Sequence, residues 1–268
     1  MQGIKKQTLD QIEITIRKAG LFAKLKQKGI TTSLKADGSP VTEVDLEISR
    51  LIIEEINSLL PECNIISEES LNPFSSTAPF SFILDPIDGT DVYSQGLPSF
   101  AIALGILDNT FTPVGAMIFA PRFGIGEEEL FIRLDPGAHL LINNREETII
   151  QNDEIKQITM SSKGQKLMNF DNYKGKVRTF GSTILHLVAP IICPHIAGSV
   201  TAPCYVWDFA ASHAVLLKCG YNIKYTDLSP VLYDKELLIE RKPLKTFIYA
   251  GTEKGIETLY KVLPLKTV

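Results

Sequence analysis

The sequence predicts an α/β protein with two lobes, and two patterns of apolar residues support this prediction. Apolar residues recur at helical spacing between residues 8 and 26 and again after Thr42, whereas short apolar runs bounded by turn residues are typical of buried strands. From about residue 176 the order becomes strand, helix, strand, which indicates a second group of elements. The 268 residues suffice for two lobes, which we place at residues 1–172 and 173–268.

A polar segment separates the first two predicted helices. The second helix begins at Thr42, a preferred N-cap residue, and stops before Pro61. Residues 31–40 are rich in turn formers, so we predict a flexible loop there, which carries Lys35. Asp45 lies three residues after Thr42, where it either caps the helix or points from the first turn into a site.

The later elements follow from short apolar runs and from further helical stripes. We predict strands at residues 65–66, 82–84, 100–107, 114–119, 131–134, 177–180, 223–225, 237–239 and 247–250, and a further apolar run that leads to Trp207. Helices are predicted at residues 183–192, 209–218 and 253–262. Small residues at the start of the helix after Asp208 allow it to approach a neighbour closely.

The composition is that of a globular protein and limits the possible partners. Hydrophobic residues make up 44% of the chain and charged residues 22%, and the net charge of −4 leaves no basic face for a nucleic-acid polymer. The N-terminus resembles no signal peptide and no run reaches membrane-spanning length, so we expect a cytoplasmic protein that binds no membrane. Scattered histidines and the absence of a C-x-x-C pair argue against a zinc site.

The most informative segment is residues 82–90, where an apolar run leads to two acids and a glycine turn. Asp85 follows the predicted strand, at the sheet edge where open α/β sheets bind ligands. Pro86 blocks an immediate helix, and Gly89 permits a turn whose N–H groups converge on an anion while Asp85 and Asp88 hold divalent cations. An Asp-Gly pair is also common in ordinary turns, so the motif alone leaves a structural role open.

Other acids share the same local pattern of a strand end or a helix start. Glu68 and Glu69 follow the apolar pair at residues 65–66, and Asp208 begins a predicted helix. Each acid alone could serve as a helix cap. Together they supply the hard oxygen ligands that Mg²⁺ prefers, without the His and Cys ligands that select zinc or iron.

Four motifs, in this order along the chain, resemble the inositol monophosphatase family. They are Lys35-Ala36-Asp37-Gly38-Ser39-Pro40-Val41-Thr42-Glu43-Val44-Asp45, Glu68-Glu69-Ser70, Asp85-Pro86-Ile87-Asp88-Gly89-Thr90 and Trp207-Asp208-Phe209-Ala210-Ala211-Ser212. A Gly181-Ser182 element precedes the helix predicted at residues 183–192. The resemblance covers most of the chain.

The resemblance implies a layered αβαβα fold of the inositol monophosphatase and fructose-1,6-bisphosphatase type. It also implies lithium-sensitive, Mg²⁺-dependent hydrolysis of a small phosphate monoester by a homodimer. Carried onto this sequence, Glu68, Asp85 and the Ile87 carbonyl hold a first metal, whose water is the nucleophile. Asp85, Asp88 and Asp208 hold a second, and a weaker third lies near Glu68. Two cations roughly 3.5–4 Å apart offset the repulsion between an attacking oxygen and a phosphate ester.

The family pattern also implies roles in proton transfer and in substrate binding. Asp45 orients the Thr90 hydroxyl, which helps to take a proton from the attacking water, and Lys35 lies on the loop that closes over the metals. We therefore take Thr90, Asp45, Glu68 and Lys35 as catalytic. The implied phosphate and substrate contacts are Gly89, Thr90, Gly181, Ser182, Thr183 and Asp208.

The substrate is less defined, because acids that contact sugar hydroxyls in the inositol-specific members are replaced by Thr201 and Ala197. Residues 202–206 are somewhat similar to those of 3'(2'),5'-bisphosphate nucleotidases, in which Tyr205 and Tyr93 would either stack on a base or simply pack. An inositol monophosphatase-like activity, a nucleotidase and a fructose-1,6-bisphosphatase are the enzymatic hypotheses. A protein that binds metal and phosphate without turnover is the non-enzymatic one.

Overall fold

A computed structural model of the chain describes residues 3–35, 38, 40–124 and 126–266, and within them it contains two large sheets and a small hairpin. The helices are α1 (Lys6–Lys26), α2 (Glu43–Leu59), α3 (Thr90–Ser94), α4 (Ser162–Leu167), α5 (Thr183–Ile192), α6 (Ala210–Lys218), α7 (Lys235–Leu238) and α8 (Glu253–Val262). A 3₁₀ turn, Val206–Asp208, leads into α6.

The first large sheet has seven strands in the order β3-β4-β5-β6-β7-β8-β9, mostly antiparallel. Its strands are β3 (Asn64–Ser67), β4 (Phe80–Asp88), β5 (Ala101–Asp108), β6 (Pro113–Ala120), β7 (Leu130–Leu134), β8 (Leu140–Ile142) and β9 (Arg145–Glu146). Only β3 runs parallel to its neighbour β4. As a consequence, β3 and β4 both end on the same side of the sheet, and that side carries Glu68 and Asp88.

The second large sheet has five strands in the order β11-β10-β12-β14-β13. These strands are β10 (Gln157–Met160), β11 (Lys176–Arg178), β12 (Gly198–Thr201), β13 (Asn222–Tyr225) and β14 (Ile248–Gly251). The small hairpin pairs β1 (Thr32–Leu34) with β2 (Pro40–Thr42).

Three buried apolar clusters show that helices and sheets alternate in five layers, which confirms the predicted αβαβα arrangement. Helices α1 and α2 pack on one face of the seven-stranded sheet. Helices α5 and α6 lie between the two large sheets and share a core with both. Helix α8 and Met168 pack on the outer face of the five-stranded sheet. Burial of apolar surface on both faces of each sheet is the main source of stability in such a fold.

Helix α6 approaches the seven-stranded sheet closely because both partners have small side chains. A Cβ atom at Gly105 of β5 would lie 2.8 Å from the backbone nitrogen of Ala211 and 3.0 Å from the Ala210 Cβ, so a larger residue at Gly105 would push the helix away. The predicted close approach of the helix after Asp208 is therefore confirmed. It fixes the start of α6, and with it Asp208, against the sheet that carries β4.

The structure corrects two predictions made from the sequence. Residues 31–40 are not simply a loop, because β1 and β2 form an antiparallel hairpin; its first strand is fully exposed and so shows no apolar periodicity. The predicted loop residues Ala36, Asp37 and Ser39 lie outside the described residues. The predicted strand at residues 237–239 is wrong: helix α7 occupies this region, because Asp234 caps it and accepts a bond from the Leu237 N–H at 3.0 Å.

Strand β10 was not predicted, and the second sheet therefore begins earlier than expected. Its four residues, Gln157–Met160, pair in parallel with both β11 and β12. The residues of the two large sheets separate between positions 146 and 157, ahead of the boundary placed at residue 172. The division into lobes of residues 1–172 and 173–268 stays a prediction.

Candidate metal and phosphate site

A register shift near the end of β4 brings the carboxylates of Asp85 and Asp88 close together. The pairing of β4 with β5 shifts register between Asp85 and Asp88. Pro86 lies within this irregularity and has no N–H group to give to the ladder. In a regular strand, residues three apart point to opposite faces. Here one carboxylate oxygen of each acid comes within 4.8 Å of the other and of an oxygen of Asp208.

Asp85 is the least satisfied member of this three-acid group. Its side chain is 1% exposed, and neither carboxylate oxygen has a hydrogen-bond partner among residues 3–35, 38, 40–124 and 126–266. Burial and the neighbouring charges of Glu68, Asp88 and Asp208 raise the pKa of Asp85 well above its usual range. A buried carboxylate without a partner is costly, so both oxygens are available to a cation.

Asp88 is held by the start of helix α5. Its Oδ2 accepts hydrogen bonds from the Ser182 hydroxyl and from the Ile184 N–H at 2.8 Å, and its Oδ1 accepts one from the Thr183 N–H at 3.1 Å. Burial raises the pKa of Asp88 to about 6, although these bonds lower it in part. Asp88 thus joins the seven-stranded sheet to the layer of α5. The implied substrate contacts Ser182 and Thr183 are engaged with Asp88 in this structure.

Asp208 completes the group from the 3₁₀ turn before α6. Its Oδ2 accepts a hydrogen bond from the Tyr205 N–H at 2.6 Å. Burial, together with the charges of Asp88 and Glu68, raises the pKa of Asp208 well above its usual range. Proteins tolerate three such acids in close contact when a metal ion neutralises them, and all the donors offered here are oxygens.

Glu68, the fourth predicted carboxylate ligand, lies outside this close group. The Lys35 ammonium binds Glu68 Oε1 and Glu69 Oε1, each at 2.6 Å. Burial raises the pKa of Glu68 to about 7 despite the charge of Lys35. Burial alone would lower the pKa of Lys35, but the two glutamates raise it, so Lys35 stays charged. The resident ammonium therefore neutralises one side of the site.

Asp45 both caps helix α2 and points from its first turn to Thr90, the two possibilities that the sequence left open. Its Oδ2 accepts a bond from the Thr42 N–H at 2.9 Å, which completes a capping box at the start of α2. Its Oδ1 faces the Thr90 hydroxyl at 3.0 Å, and that hydroxyl also lies 2.9 Å from the Ile87 carbonyl oxygen. The pKa of Asp45 is raised by burial, against the effect of the bonds from Thr42 and Thr90.

The turn after β4 abuts the turn before α5. Gly89 has φ 86°, and a Cβ atom there would lie 3.3 Å from the Gly181 carbonyl oxygen. Gly181 itself has φ 88°, and a Cβ there would collide with Val92. Thr90 then begins α3, and the first N–H groups of a helix lack partners within it. Both glycines are thus required for the contact that brings Asp88 to Ser182.

The positions expected near the leaving group differ from one another in exposure. Ala197 and Thr201 are buried around and within β12. Tyr93 is fully buried, and its hydroxyl donates to the Ala23 carbonyl at 2.9 Å, so it packs and does not stack on a base. Tyr205 is half-buried, and its ring stacks on Trp207 with centroids 4.9 Å apart.

Sequence reasoning missed two residues that contact this region. Arg241 binds backbone carbonyls of the segment that carries Glu68 and lies over the Trp207 ring. His186 accepts the Phe180 N–H at 2.7 Å and so fixes the turn before Ser182. Neither contact has a local signal in the sequence. Arg241 is 173 residues from Glu68, and the bond between Phe180 and His186 joins a turn to a helix six residues later.

Comparison with known proteins identifies the family. The model of the inositol monophosphatase family matches residues 6–257. The 3'(2'),5'-bisphosphate nucleotidase CysQ of Aggregatibacter actinomycetemcomitans is 27% identical over 84% of this chain and 87% of its own length. A fructose-1,6-bisphosphatase/inositol-1-monophosphatase of Thermotoga maritima is 28% identical over 70% of this chain and 72% of its own.

The fold agrees with solved structures. The extragenic suppressor protein suhB of Bartonella henselae superposes with a TM-score of 0.78 at 18% identity, covering 96% of this chain and 98% of its own. The layered fold and the match over nearly the whole chain define the class, and the chain belongs to the inositol monophosphatase family. It is a phosphoric monoester hydrolase. Among the described helices, none has the length and apolar character needed to cross a membrane.

Proposed function

We propose that this protein hydrolyses a small phosphate monoester with Mg²⁺ held by Asp85, Asp88, Asp208 and Glu68. The observation that carries the proposal is the pair of buried Asp85 carboxylate oxygens, which belong to the three-acid group and have no hydrogen-bond partner among the described residues. Oxygen-only donors fit Mg²⁺ better than they fit zinc or iron. We expect two or three ions per site, as the family resemblance implies.

Bound there, Mg²⁺ would lower the pKa of a water molecule and neutralise charge on the phosphate. The chain's own residues supply positioning and proton transfer. With its hydroxyl between Asp45 and the Ile87 carbonyl, Thr90 can accept a proton from an attacking water at Oγ1 while it donates its own to Asp45 Oδ1. Asp45 cannot turn away, since Thr42 holds its other oxygen.

The phosphate is proposed to lie against the start of α3. The N–H groups of Gly89 and Thr90 are adjacent to Asp85 and Asp88, and no bulky side chain intervenes at Gly89. The Gly181 turn lies on the opposite side and closes this part of the site. Backbone donors and cations together can stabilise the charge that develops in a loose phosphoryl-transfer transition state.

For the substrate, we retain the inositol monophosphatase-like activity as the first candidate. A nucleotidase is the second candidate, because Tyr205 and Trp207 form an aromatic pair beside Asp208 and because CysQ is among the relatives. A fructose-1,6-bisphosphatase is the third, from the Thermotoga maritima relative. Lithium sensitivity and a homodimer stay predictions from the resemblance, and a cytoplasmic location stays a prediction from the sequence.

A panel of phosphate esters tests the proposal. Phosphate release is measured with and without Mg²⁺ on inositol 1-phosphate, adenosine 3',5'-bisphosphate and fructose 1,6-bisphosphate. We expect Mg²⁺-dependent release from at least one ester, and its identity chooses among the three candidates. Tight Mg²⁺ binding with no release from any ester would favour a binding protein without turnover and contradict the proposal.

A further inference from the structure

Arg241 lies outside the acid group but contacts the two segments that bound it. Its Nη2 donates to the Ser67 carbonyl at 2.8 Å and to the Glu68 carbonyl at 2.9 Å, and its Nη1 donates to the Ser70 carbonyl at 2.9 Å. Its guanidinium carbon lies 4.8 Å from the centroid of the Trp207 ring. One side chain therefore bridges the segment of Glu68 and the residue that precedes Asp208.

The segment after β3 needs such support, because it has left the sheet. The Glu68 N–H still donates to the Leu84 carbonyl at 3.2 Å, but β3 itself ends at Ser67. Beyond that point the three bonds from Arg241 hold the backbone that carries Glu68. Bonds from a charged donor are stronger than neutral ones, and the planar guanidinium fixes the direction of each.

The other end of the contact is also built into the site. Trp207 stacks on Tyr205, whose N–H donates to Asp208 at 2.6 Å. A guanidinium over an aromatic ring is attracted to its face. Displacement of Arg241 would therefore release Trp207 on one side and Glu68 on the other, and the separation of two candidate metal ligands would no longer be fixed.

The backbone of Arg241 points to the same conclusion. Its φ is 54°, in the left-handed region that a non-glycine residue seldom adopts. The turn is held in this shape after α7 by the bond from the Lys242 N–H to the Glu236 carbonyl at 2.9 Å. Such conformations persist where the surrounding contacts determine them, and they concentrate at functional sites.

We propose that Arg241 is a positioning residue that sets the spacing of Glu68 and Asp208 for Mg²⁺; this inference rests on the metal site of the proposed function. If Arg241 acted only through its charge, its removal would strengthen Mg²⁺ binding, because a cation near the site repels the metal. If it acts by positioning the ligands, its removal weakens Mg²⁺ binding. Three of its N–H groups are already bound to carbonyls, so a direct contact with the phosphate is not its main role.

The test compares Arg241→Met and Arg241→Lys with Arg50→Met as the matched control. Arg50 is exposed on α2, where its ion pairs with other described residues are those with Glu47 and Glu54. Mg²⁺ is titrated without substrate, by calorimetry and by the emission of Trp207, which is the only tryptophan in the chain. Steady-state kinetics at saturating Mg²⁺ then separate kcat from KM.

We expect Arg241→Met to raise the Mg²⁺ concentration for half-saturation about tenfold, as is typical when a residue that orients metal ligands is lost. Arg241→Lys should give a smaller increase, because an ammonium keeps the charge but not the planar set of donors. Arg50→Met should leave the titration unchanged, and KM for the ester at saturating Mg²⁺ should stay near the wild-type value in every variant.

Three outcomes would overturn the role of Arg241. These are unchanged or tighter Mg²⁺ binding by folded Arg241→Met, a raised KM with unchanged Mg²⁺ affinity, and, if Arg241→Met does not fold, unchanged affinity in folded Arg241→Lys. Failure of the proposed function looks different. Wild-type protein that binds Mg²⁺ but releases no phosphate contradicts turnover and leaves the Arg241 comparison intact, whereas wild-type protein that binds no Mg²⁺ contradicts the metal site and Arg241 together.

Discussion

Two groups of three acids each include residues of the seven-stranded sheet or of a segment next to it, and they differ in whether a cationic side chain of the protein pairs with them. The first group surrounds Arg133, which pairs with Asp10 at 2.8 Å, Glu13 at 2.7 Å and Asp135 at 2.7 Å. The second group is Asp85, Asp88 and Asp208. In the described part of the chain, its hydrogen bonds come from neutral N–H and O–H groups, and Asp85 receives none.

The pKa of Asp10 in the first group shifts in the opposite direction from those of Asp85 and Asp208 in the second. Hydrogen bonds from Lys6 and Arg133 hold the pKa of Asp10 below its usual range. Burial and like charges raise the pKa of Asp85 and Asp208 instead. A group of acids with its own arginine is complete as folded. For the group that lacks an arginine we propose a cation from solution, and so we propose a structural role for the first group and metal binding for the second.

The largest expected effect comes from removing one charge of the second group. Asp85→Asn deletes the carboxylate that lies between the proposed metal positions, so we expect loss of Mg²⁺ binding and no measurable turnover. The metal-free variant should unfold at the same temperature as metal-free wild-type protein or higher, because it no longer has a carboxyl group whose ionisation is opposed by burial and by the neighbouring acids. Phosphate release, calorimetry and thermal unfolding check the three parts.

A matched change in the first group provides the control. Asp135→Asn leaves the acid group at Asp85 untouched, so Mg²⁺ binding should stay at the wild-type level. Near-native turnover by Asp85→Asn at saturating Mg²⁺ would sink the assignment of this group as the metal site.

Asp45 is an intermediate case, since it is buried and satisfied by hydrogen bonds without any cation. Thr90→Ala removes the hydroxyl that we propose relays a proton to Asp45, and we expect kcat to fall by roughly 10²-fold or more, the range for a lost general acid–base group. Mg²⁺ affinity should change little, because Thr90 supplies no carboxylate. Thr90→Ser keeps the hydroxyl and should recover most of the rate; equal losses in both variants would contradict the relay.

Arg133→Met tests the first group directly. The change leaves three acids without their arginine. Because all three are only partly buried, we expect the free energy of unfolding to fall by about 2–3 kcal/mol, below the full penalty for a broken buried ion pair. Denaturant unfolding measures this loss, and Mg²⁺ titration should be unaffected. A shift in Mg²⁺ affinity without loss of stability would reverse the distinction between the two groups.

The structure brings Asp85, Asp88 and Asp208 together, and the sequence could single them out because their signals are local; their role as metal ligands stays a prediction. Asp85 and Asp88 lie at the end of β4 just before Gly89, and Asp208 precedes a helix that starts with small residues, so strand-end and helix-start patterns sufficed to name them. The hairpin of β1 and β2 escaped prediction because its outward strand has no apolar period. The helix at 235–238 was misread because a short apolar run looks the same in a strand and in a capped helical turn.

The contacts that position the acids could not be predicted, because they join residues far apart in the chain. Arg241 is separated from Ser67 by 174 residues, and Ser182 is separated from Asp88 by 94. The packing of the layers determines that the Glu68 carboxylate pairs with Lys35 and that the Asp88 carboxylate accepts a bond from the Ser182 hydroxyl. That tertiary information decides which of two similar acid groups is open to a metal.

His186 shows how a basic side chain near the second group is kept neutral. Its Nε2 accepts the Phe180 N–H at 2.7 Å, and burial lowers its pKa to about 4. Ser182 binds Asp88, and the turn before Ser182 is therefore fixed by the neutral imidazole of His186. His186→Leu leaves the Phe180 N–H without a partner and should lower the free energy of unfolding by about 1 kcal/mol or slightly more. His186→Gln keeps an acceptor and should lose less.

The same histidine predicts a dependence of stability on pH. Because its folded-state pKa of about 4 lies below the ordinary value of 6.5, the unfolded chain takes up the proton first. The contribution of His186 is fully present above pH 6.5 and is lost as the pH falls toward 4. His186→Gln does not titrate, so its stability in denaturant should fall less than that of wild-type protein between about pH 7 and about pH 5. If the free energy of unfolding fell equally in wild-type protein and His186→Gln, His186 would not be kept neutral in the folded state. The distinction from Arg133, a basic side chain that stays charged beside its acids, would then be lost.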